Sequence, residues 1–186
     1  MNEFDVMDQL ALQLRCDYNF YDKRIDIFDL AKKLRIKLIK YSSLSINQRD
    51  ILENEFSIKD AFTIFNNKTI PKTTYLYYND NQIRERIRFS MAHEIKHIIC
   101  NESNPTSKDE MMADHFARSL LVPSCILISE NYQKDSDVSR DFNISRQSAK
   151  YALKAAMNRF YFSKFQYSKL ELEYIKKYEK MLLLQK

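Results

Sequence analysis

The sequence predicts an α+β fold in which a small sheet is followed by helices. Three short segments before residue 80 are rich in β-branched and aromatic residues, which is typical of strands. From Gln82 onward the apolar residues recur at helical spacing, with interruptions at Pro105 and Pro123. A chain of 186 residues, of which 45% are hydrophobic, is long enough for one domain with a small appended unit.

The part of the chain before Gln82 is predicted to mix helices and strands. Helices are expected over residues 3–16 and over the segments DIFDLAKKL and SINQRDILENEF. Strands are expected over RIKLIKY, AFTIFNN and TTYLYYN, and the last two are expected to form a hairpin or to lie side by side. Glycine is absent from the chain, so the turns are expected to rest on Asn, Asp, Ser and the three prolines.

The rest of the chain is predicted to be helical. Helices are expected over residues 84–99 and 109–121, within DSDVSRDFNISRQSAKYALKAAMNRF, and in the tail from Lys169. The segment VSRDFNISRQSAKYAL resembles a helix-turn-helix whose second helix is capped by Ser145. This pattern predicts a boundary near residue 130, with residues 131–186 forming a C-terminal helical region.

Composition and charge argue against several classes of protein. Three cysteines without a CxxC pair disfavour a disulfide framework and a thiolate zinc site. The formal net charge of +5 is modest and spread along the chain, so it is weak evidence for binding to nucleic acid. The start MNEFDVMDQL does not resemble a secretory signal, and no apolar run approaches the ~18 residues that a membrane span needs. We therefore expect a soluble, cytoplasmic protein without a membrane partner.

The segment FSMAHEIKHIIC carries the strongest chemical signal in the sequence. Residues four positions apart lie on one face of a helix, so His93 and His97 can reach the same metal ion. Glu94 follows the first histidine, as in the HExxH pattern of two zinc ligands and a general base. The alternative is a chance match on an amphipathic surface helix. A third ligand distinguishes the two interpretations, because catalytic zinc sites usually have three protein ligands.

The segment DEMMADHFARSLLVP supplies a candidate for that third ligand. Its helical pattern predicts a buried apolar stripe formed by Ala113, Phe116, Ala117, Leu120 and Leu121. Glu110 and Asp114 lie on the same side as part of this stripe, and inward carboxylates are destabilising unless they are paired or bind a metal. We therefore expect Glu110 to be the third zinc ligand and Asp114 to accept a hydrogen bond from a ligating imidazole.

Other residues near these motifs are weaker candidates. His115 falls on the opposite side of its helix, where solvation or packing is expected rather than metal binding. Cys100 lies one turn beyond His97, where it could approach the metal, but an inert buried thiol is expected there. The segment TTYLYYN is the predicted exposed edge that could hold a substrate as an added strand. The residue that stabilises a reacting oxyanion is not identifiable from the sequence; the candidates are Tyr75, Tyr77 and Tyr78.

Over most of its length the chain resembles the ImmA/IrrE family of zincin-like metallo-endopeptidases. The family pattern has an arginine-phenylalanine pair before AHExxH and then E-x-x-A-[ND]-x-F-A-x-x-L-L-x-P. It is matched by Arg88, Phe89, Ala92 to His97, Glu110, Ala113, Asp114, Phe116, Ala117, Leu120, Leu121 and Pro123. The chain departs from the pattern at Lys96, where the family often has glycine, and at Asp114, where it usually has asparagine.

The resemblance implies a fold and a function. It implies a zincin-like metallopeptidase domain over residues 1–130, with one Zn²⁺ per chain. By the same resemblance the zinc ligands are His93, His97 and Glu110, and Glu94 is the catalytic base. Members of the family are intracellular proteases of mobile elements and stress responses that typically cleave a helix-turn-helix repressor. We therefore expect a zinc endopeptidase that acts as an anti-repressor and has such a repressor as its protein partner.

Two other functions remain open at this point. A DNA-binding transcriptional regulator would use the helix-turn-helix pattern, with Arg146 and Lys150 on the second helix as the contact residues. In a protease, the same two residues are expected to contact the substrate. A non-catalytic adaptor would bind zinc and show no cleavage.

Overall fold

The computed structural model describes residues 3–56, 60–66, 73–162 and 165–184. It divides into two compact units, of which one is Ile27–Ala113 and the other combines Met1–Asp26 with Asp114–Lys186. This division is based on which parts of the chain pack together. The boundary predicted near residue 130 is based on sequence motifs, and it stays a prediction.

Helices and a small sheet make up the described part of the chain, as the α+β prediction requires. The strands are β1 (Lys37–Lys40), β2 (Ala61–Asn66) and β3 (Thr73–Tyr78). The helices are α1 (Glu3–Asp17), α2 (Ile27–Lys33), α3 (Ile46–Phe56), α4 (Arg84–Ile99), α5 (Ser107–Leu121), α6 (Ser124–Ser129), α7 (Asp135–Phe142), α8 (Arg146–Phe162) and α9 (Lys169–Leu184). Helix α6 is not predicted by the sequence, because Pro123 indicates the end of α5; its φ of −61° also suits the start of a new helix.

The sheet belongs to the unit Ile27–Ala113 and has the order β1-β3-β2. Strand β3 pairs in parallel with β1 and antiparallel with β2. In this register Leu76 of β3 lies opposite Leu38 on one side and Thr63 on the other, and its side chain is fully buried. The segments AFTIFNN and TTYLYYN are therefore neighbouring strands, as predicted; the Asn67 and Pro71 positions between them lie outside the described residues.

The segment TTYLYYN is not an edge of the sheet, so that prediction was wrong. It forms β3, whose backbone groups bond to β1 on one side and to β2 on the other. Among the described residues, the two edges of the sheet are β1 and β2. Aromatic and β-branched composition marks a segment as a strand, but it does not say which strand is central.

Helix α4 packs against β2, β3 and α2 within the same unit. The face that it turns towards them carries Met91, Ala92 and Ile95, all with 0% exposure. His93 and Glu94 lie outside this face and are half-buried. The amphipathic pattern of α4 thus holds the motif residues at the border of the core, where they can be both fixed and accessible.

The unit Met1–Asp26 with Asp114–Lys186 is helical, and α7 and α8 pack together in it as the two arms of a helix-turn-helix. The residues that line the junction are buried: Val138, Phe142, Ile144, Ala149 and Leu153. The hydroxyl of Ser145 accepts a hydrogen bond from the backbone N–H of Ser148 at 3.2 Å. Ser145 therefore caps α8, as predicted.

Asparagine takes the place of glycine where helices end. The described non-glycine residues with left-handed backbone are Asn19, Arg35, Asn101, Asn131 and Asn143, with φ between 52° and 59°. They follow α1, α2, α4, α6 and α7 in turn. A left-handed residue is the common helix terminator, and asparagine tolerates this region better than most residues. A chain without glycine thus ends its helices largely with asparagine.

Within the described residues, no helix combines the length and the apolarity that crossing a bilayer requires.

Candidate metal centre

His93 and His97 meet on one face of α4. Their Nε2 atoms are 3.1 Å apart, and the two rings meet edge to face with centroids 4.9 Å apart. The side chain of His97 is 5% exposed and that of His93 is 16% exposed. Two imidazole nitrogens therefore face each other at the edge of the core, one nearly enclosed and one closer to solvent.

The chain leaves α4 through a tight turn that keeps the following residues beside the histidines. Asn101 is left-handed, and its N–H donates to the carbonyl of Ile98 at 3.1 Å. The N–H of Glu102 donates to the carbonyl of His97 at 2.8 Å. This pair of bonds is the Schellman motif, in which the second residue after the helix returns to the last turn. Glu102 is thereby fixed next to His97.

Helix α5 then begins with a capping box formed by Thr106 and Asp109. The N–H of Thr106 donates to Oδ2 of Asp109 at 2.8 Å, and the N–H of Asp109 donates to Oγ1 of Thr106 at 3.3 Å. The hydroxyl of Thr106 also donates to Oδ2 of Asp109 at 2.6 Å, and this bond, together with the one from the Thr106 N–H, holds the pKa of the Asp109 carboxyl below its ordinary value. Because the cap fixes the first turn of α5, it also fixes the position of Glu110, the next residue.

Glu110 completes a cluster with the two histidines. Its Oε2 lies 3.1 Å from Nε2 of His93, and its Oε1 lies 3.7 Å from Nε2 of His97. The ligand atoms of the three residues all lie within 4.8 Å of one another. Two ligands at tetrahedral angles and about 2.0–2.1 Å from one zinc ion are about 3.3 Å apart. The nearest separations, 3.1 Å between the two imidazoles and 3.1 Å and 3.7 Å from them to the two Glu110 oxygens, are close to that value, and a set of two imidazoles and one carboxylate suits a single zinc ion.

The side chain of Glu110 is 43% exposed, which is more open than the inward orientation expected from the sequence. It lies in the first turn of α5, where neighbouring turns of the helix cover less of a side chain than they do farther along. The cluster is therefore enclosed on the side of His97 and open on the side of Glu110. An open side is what a catalytic site needs, because the fourth position must admit water and substrate.

Glu94 lies beside the cluster and is not one of its three members. It is half-buried on α4, directly after His93. Burial, with a second contribution from the Glu94 carboxylate, raises the pKa of the Tyr41 hydroxyl above its ordinary value. Tyr41 follows β1 immediately and was not among the tyrosines considered from the sequence.

Glu102 also contacts the cluster, although the sequence did not predict a role for it. Nδ1 of His97 donates to Oε2 of Glu102 at 2.7 Å, which is the contact that a carboxylate makes with a metal-ligating histidine. The sequence predicts this role for Asp114, which is half-buried on α5 and belongs to the other compact unit. The role of Asp114 stays a prediction. The sequence offers one hint, an asparagine just after the predicted end of α4, because asparagine tolerates the left-handed conformation that turns the chain back to the last turn; the sequence does not show that Asn101 takes it.

The weaker candidates have other surroundings. Nε2 of His115 donates to Oδ1 of Asp8 at 2.8 Å and its ring packs on Phe4, so it is packed, as expected, and it is not among the three clustered residues. Cys100 is exposed at the end of α4, so the prediction of a buried thiol was wrong; a helix terminus offers less cover than a helix interior. Tyrosine rings of β3 are used in packing and cation–π contacts: Tyr75 with Lys37, Tyr77 with Phe62, and Tyr78 with Phe28.

Arg146 and Lys150 lie on the exposed face of α8, but they are not equivalent. The guanidinium of Arg146 pairs with Asp135 at the start of α7, with Nε 3.2 Å from Oδ2 and Nη2 3.4 Å from Oδ1. This pair links α7 to α8. The positive charge of Arg146 is therefore partly neutralised by Asp135. Lys150 is exposed one turn farther on, next to the exposed ring of Tyr151.

Comparison with known proteins agrees with this geometry. A family model described as the IrrE N-terminal-like domain of the M78 peptidases matches residues 44–154. The matched span includes the three clustered residues, Glu94 and Glu102. No curated protein matches the chain.

Proposed function

Because the chain belongs to the M78 peptidase family of the IrrE N-terminal-like type, we propose that it is a zinc-dependent endopeptidase. The observation that carries the proposal is the cluster of His93, His97 and Glu110, whose ligand atoms lie within 4.8 Å of one another. Helix α4 supplies two of these residues and α5 the third, so the cluster unites the two halves of the sequence motif. Glu94 stands beside the cluster, in the place of the HExxH general base.

Zinc is the metal that this donor set favours. Two imidazole nitrogens and one carboxylate are a common catalytic zinc set, whereas magnesium and calcium prefer oxygen ligands. The hydrogen bond from Nδ1 of His97 to Glu102 leaves the lone pair on Nε2, the nitrogen that faces Glu110 and His93. We therefore propose one zinc ion per chain, held by His93, His97 and Glu110.

The proposed reaction is hydrolysis of a peptide bond. Zinc held by His93, His97 and Glu110 would lower the pKa of a bound water to about 7, against about 15.7 in bulk water, and would polarise the scissile carbonyl. Glu94 takes the proton from the attacking water and delivers it to the leaving amine. His97 holds its proton at Nδ1 through Glu102, which keeps its ring in one orientation during this exchange.

The sheet offers an edge for an extended substrate. Strand β2 packs beside α4 and is an edge of the sheet among the described residues, so a peptide that paired with it would run past the motif helix. Main-chain hydrogen bonds would supply affinity without a strict sequence requirement. Edge strand β2, and not the segment TTYLYYN predicted from the sequence, is thus the strand proposed to pair with an extended substrate.

We propose a helix-turn-helix repressor of a mobile element or stress regulon as the substrate, in the cytoplasm. Family membership and the resemblance to the ImmA/IrrE peptidases support this substrate class. The C-terminal pair α7 and α8 then serves to dock the repressor, with Lys150 as a contact. The ion pair between Arg146 and Asp135 favours docking over DNA binding, because the first turn of α7 adds acidic Asp135 and Asp137, which a phosphate backbone would repel.

The decisive experiment uses the repressor encoded beside this gene, if one is present, and otherwise a panel of helix-turn-helix repressors from the same genome. The purified, zinc-loaded chain is incubated with each repressor, and the products are analysed by mass spectrometry. We expect one discrete cut, lost on chelation and restored by zinc, and slowed by about 10²–10⁴-fold in Glu94→Gln. Zinc binding without cleavage of any repressor would favour the adaptor. A sequence-specific complex with duplex DNA would favour the transcriptional regulator.

A further inference from the structure

Lys96 lies inside the HExxH motif and is buried, which is unusual for a lysine. The residue is 2% exposed, although it occupies a position that the motif leaves free. Its Nζ donates to both carboxylate oxygens of Glu102, each at 2.6 Å. It also donates to the backbone carbonyl of Asp109 at 3.2 Å. An ammonium group is tolerated in such a place only when it is paired and hydrogen-bonded, as it is here.

The Glu102 carboxylate is shared between Lys96 and His97. Its Oε2 lies 2.6 Å from Nζ of Lys96 and 2.7 Å from Nδ1 of His97. A carboxylate only accepts hydrogen bonds, so Nδ1 of His97 is the donor and carries the ring proton. The lone pair is then on Nε2, facing the cluster. Glu102 is 21% exposed, and the ammonium of Lys96 compensates its charge from the buried side.

The contact with Asp109 ties Lys96 to the third member of the cluster. Asp109 immediately precedes Glu110, in the capped first turn of α5. A bond to its carbonyl therefore fixes the start of α5 against α4 at the level of His97. The Lys96 ammonium group thus contacts Glu102, which orients His97, and the carbonyl of Asp109, which positions Glu110.

We propose that Lys96 is a positioning residue of the metal centre. Through Glu102 it holds His97 as the tautomer with its proton on Nδ1, and through Asp109 it sets the separation between His97 and Glu110. The first part concerns the protein without metal. The second part rests on the zinc site proposed above, because the separation matters only if both residues bind the same ion.

The first test measures the His97 ring in the metal-free full chain. Long-range ¹H–¹⁵N correlation spectra in weakly alkaline solution distinguish a protonated Nδ1 from a protonated Nε2. In the wild type we expect His97 to be almost wholly the Nδ1–H tautomer. In Lys96→Met we expect a mixture of tautomers. The turn after α4 still fixes the Glu102 backbone, but the Glu102 side chain loses the ammonium group that orients its carboxylate. Lys33→Met is the matched control, since Lys33 forms an exposed ion pair with Asp29 in the same compact unit.

The second test measures zinc affinity by competition with a chromogenic chelator. We expect Lys96→Met to bind zinc about 10–100-fold more weakly than the wild type, the usual effect of losing a group that orients a ligand. The control Lys33→Met is expected to bind zinc like the wild type. Glu102→Ala should show a similar loss, and Lys96→Met with Glu102→Ala should lose no more than either single variant, because the two residues act as one unit.

The double variant Lys96→Met/Glu102→Gln covers the case in which the single variant does not fold. An uncharged pair of similar shape leaves no buried charge and is expected to fold. Its amide can present either oxygen or nitrogen to His97, so the tautomer preference should weaken and zinc affinity should fall roughly tenfold. A folded double variant with wild-type His97 signals and wild-type zinc affinity would overturn the proposal. A wild-type chain that binds no zinc but shows the Nδ1–H tautomer would overturn the zinc site and leave the role of Lys96 towards His97 intact.

Discussion

Nε2 of His93 lies 3.1 Å from Oε2 of Glu110, although the two residues are 17 positions apart in the chain. The approach depends on three local features in sequence: the end of α4 at left-handed Asn101, the return of Glu102 to the carbonyl of His97, and the capped start of α5 at Thr106. Each feature is built from short-range hydrogen bonds. The positions of the three clustered residues therefore depend on the loop between the helices as much as on the helices themselves.

The first prediction concerns metal content. The wild-type chain is expected to hold about one zinc ion per chain. His97→Ala should lose this metal, because it removes the most deeply buried of the three candidate ligands. Its apparent thermal stability should then no longer rise with added zinc, since a ligand stabilises only the state that binds it. Elemental analysis and thermal unfolding with and without zinc provide the measurements.

His115→Ala is the control for that experiment. It removes a histidine of the same chain that bonds to Asp8 instead of joining the cluster. It should retain a full complement of zinc. A loss of metal in this variant equal to that in His97→Ala would contradict the assignment of the site.

The second prediction separates the ligands from the base. Glu94 lies outside the three-residue cluster, so Glu94→Gln should keep the zinc while cleavage falls by about 10²–10⁴-fold, the usual contribution of a general base. Cleavage rate and zinc content are measured on the same preparation. Glu85→Gln, at the first turn of the same helix, is the control and should cleave normally. Cleavage by the Glu94→Gln variant at the wild-type rate would rule out the proposed mechanism.

The sequence was sufficient to predict the parts of the site that repeat with helical spacing. His93 and His97 are one turn apart on α4. The apolar residues Met91 and Ile95 on the opposite side of the helix are buried in the core, and this fixes the direction in which the two histidines point. The bounds of α4 were predicted without error because its apolar pattern is long and uninterrupted. Glu110 was predicted as a third ligand because a catalytic zinc site needs one and the next helix offers an inward carboxylate near its start, and the structure places it within reach of both histidines.

The parts that could not be predicted depend on backbone geometry outside regular elements. Glu102 lies in a loop, and only the left-handed conformation of Asn101 returns it to His97. Lys96 is charged, so its pattern predicts an exposed side chain, and its burial depends on two partners from other segments. The central place of β3 depends on its pairing with β1, which is distant in sequence. Spacing rules cannot foresee such pairings.

The third prediction concerns the C-terminal helices. Lys150→Glu should weaken binding and cleavage of the repressor, because it reverses an exposed charge on the proposed docking face. Changing Arg146 alone would also break its ion pair with Asp135. The swapped pair Arg146→Glu/Asp135→Lys keeps an ion pair at that junction and is the better test of Arg146 as a contact. Binding is measured by titration and cleavage by initial rate.

DNA binding is tested on the same C-terminal variants. Duplex DNA should bind the wild type only weakly, without sequence preference and with a steep salt dependence. A discrete, sequence-specific complex at physiological salt that Lys150→Glu abolishes would make DNA the main partner. Arg146 and Lys150 on the exposed face of α8 would then be contacts for DNA and not for the repressor.

The fourth prediction concerns stability in acid and rests on Glu171. This residue is 3% exposed, and its carboxylate forms two hydrogen bonds with the guanidinium of Arg159 and one with the N–H of Ser168. Burial alone would raise the pKa of Glu171, but these hydrogen bonds outweigh it and hold the pKa below the ordinary value of 4.5. Because the pKa is lower in the folded than in the unfolded chain, the stabilisation is fully present above pH 4.5 and is lost as the pH falls through the folded value.

Glu171→Gln should therefore lower the free energy of unfolding at neutral pH by about 2 kcal/mol, less than for a fully buried ion pair because Arg159 is partly exposed. Below pH 4.5 its stability should fall less steeply than that of the wild type, since the titrating carboxyl is gone. Urea unfolding at a series of pH values measures both effects. Glu173→Gln, an exposed neighbour on α9, is the control and should follow the wild-type curve. Parallel curves for Glu171→Gln and the wild type below pH 4.5 would show that the Glu171–Arg159 pair does not contribute to acid sensitivity.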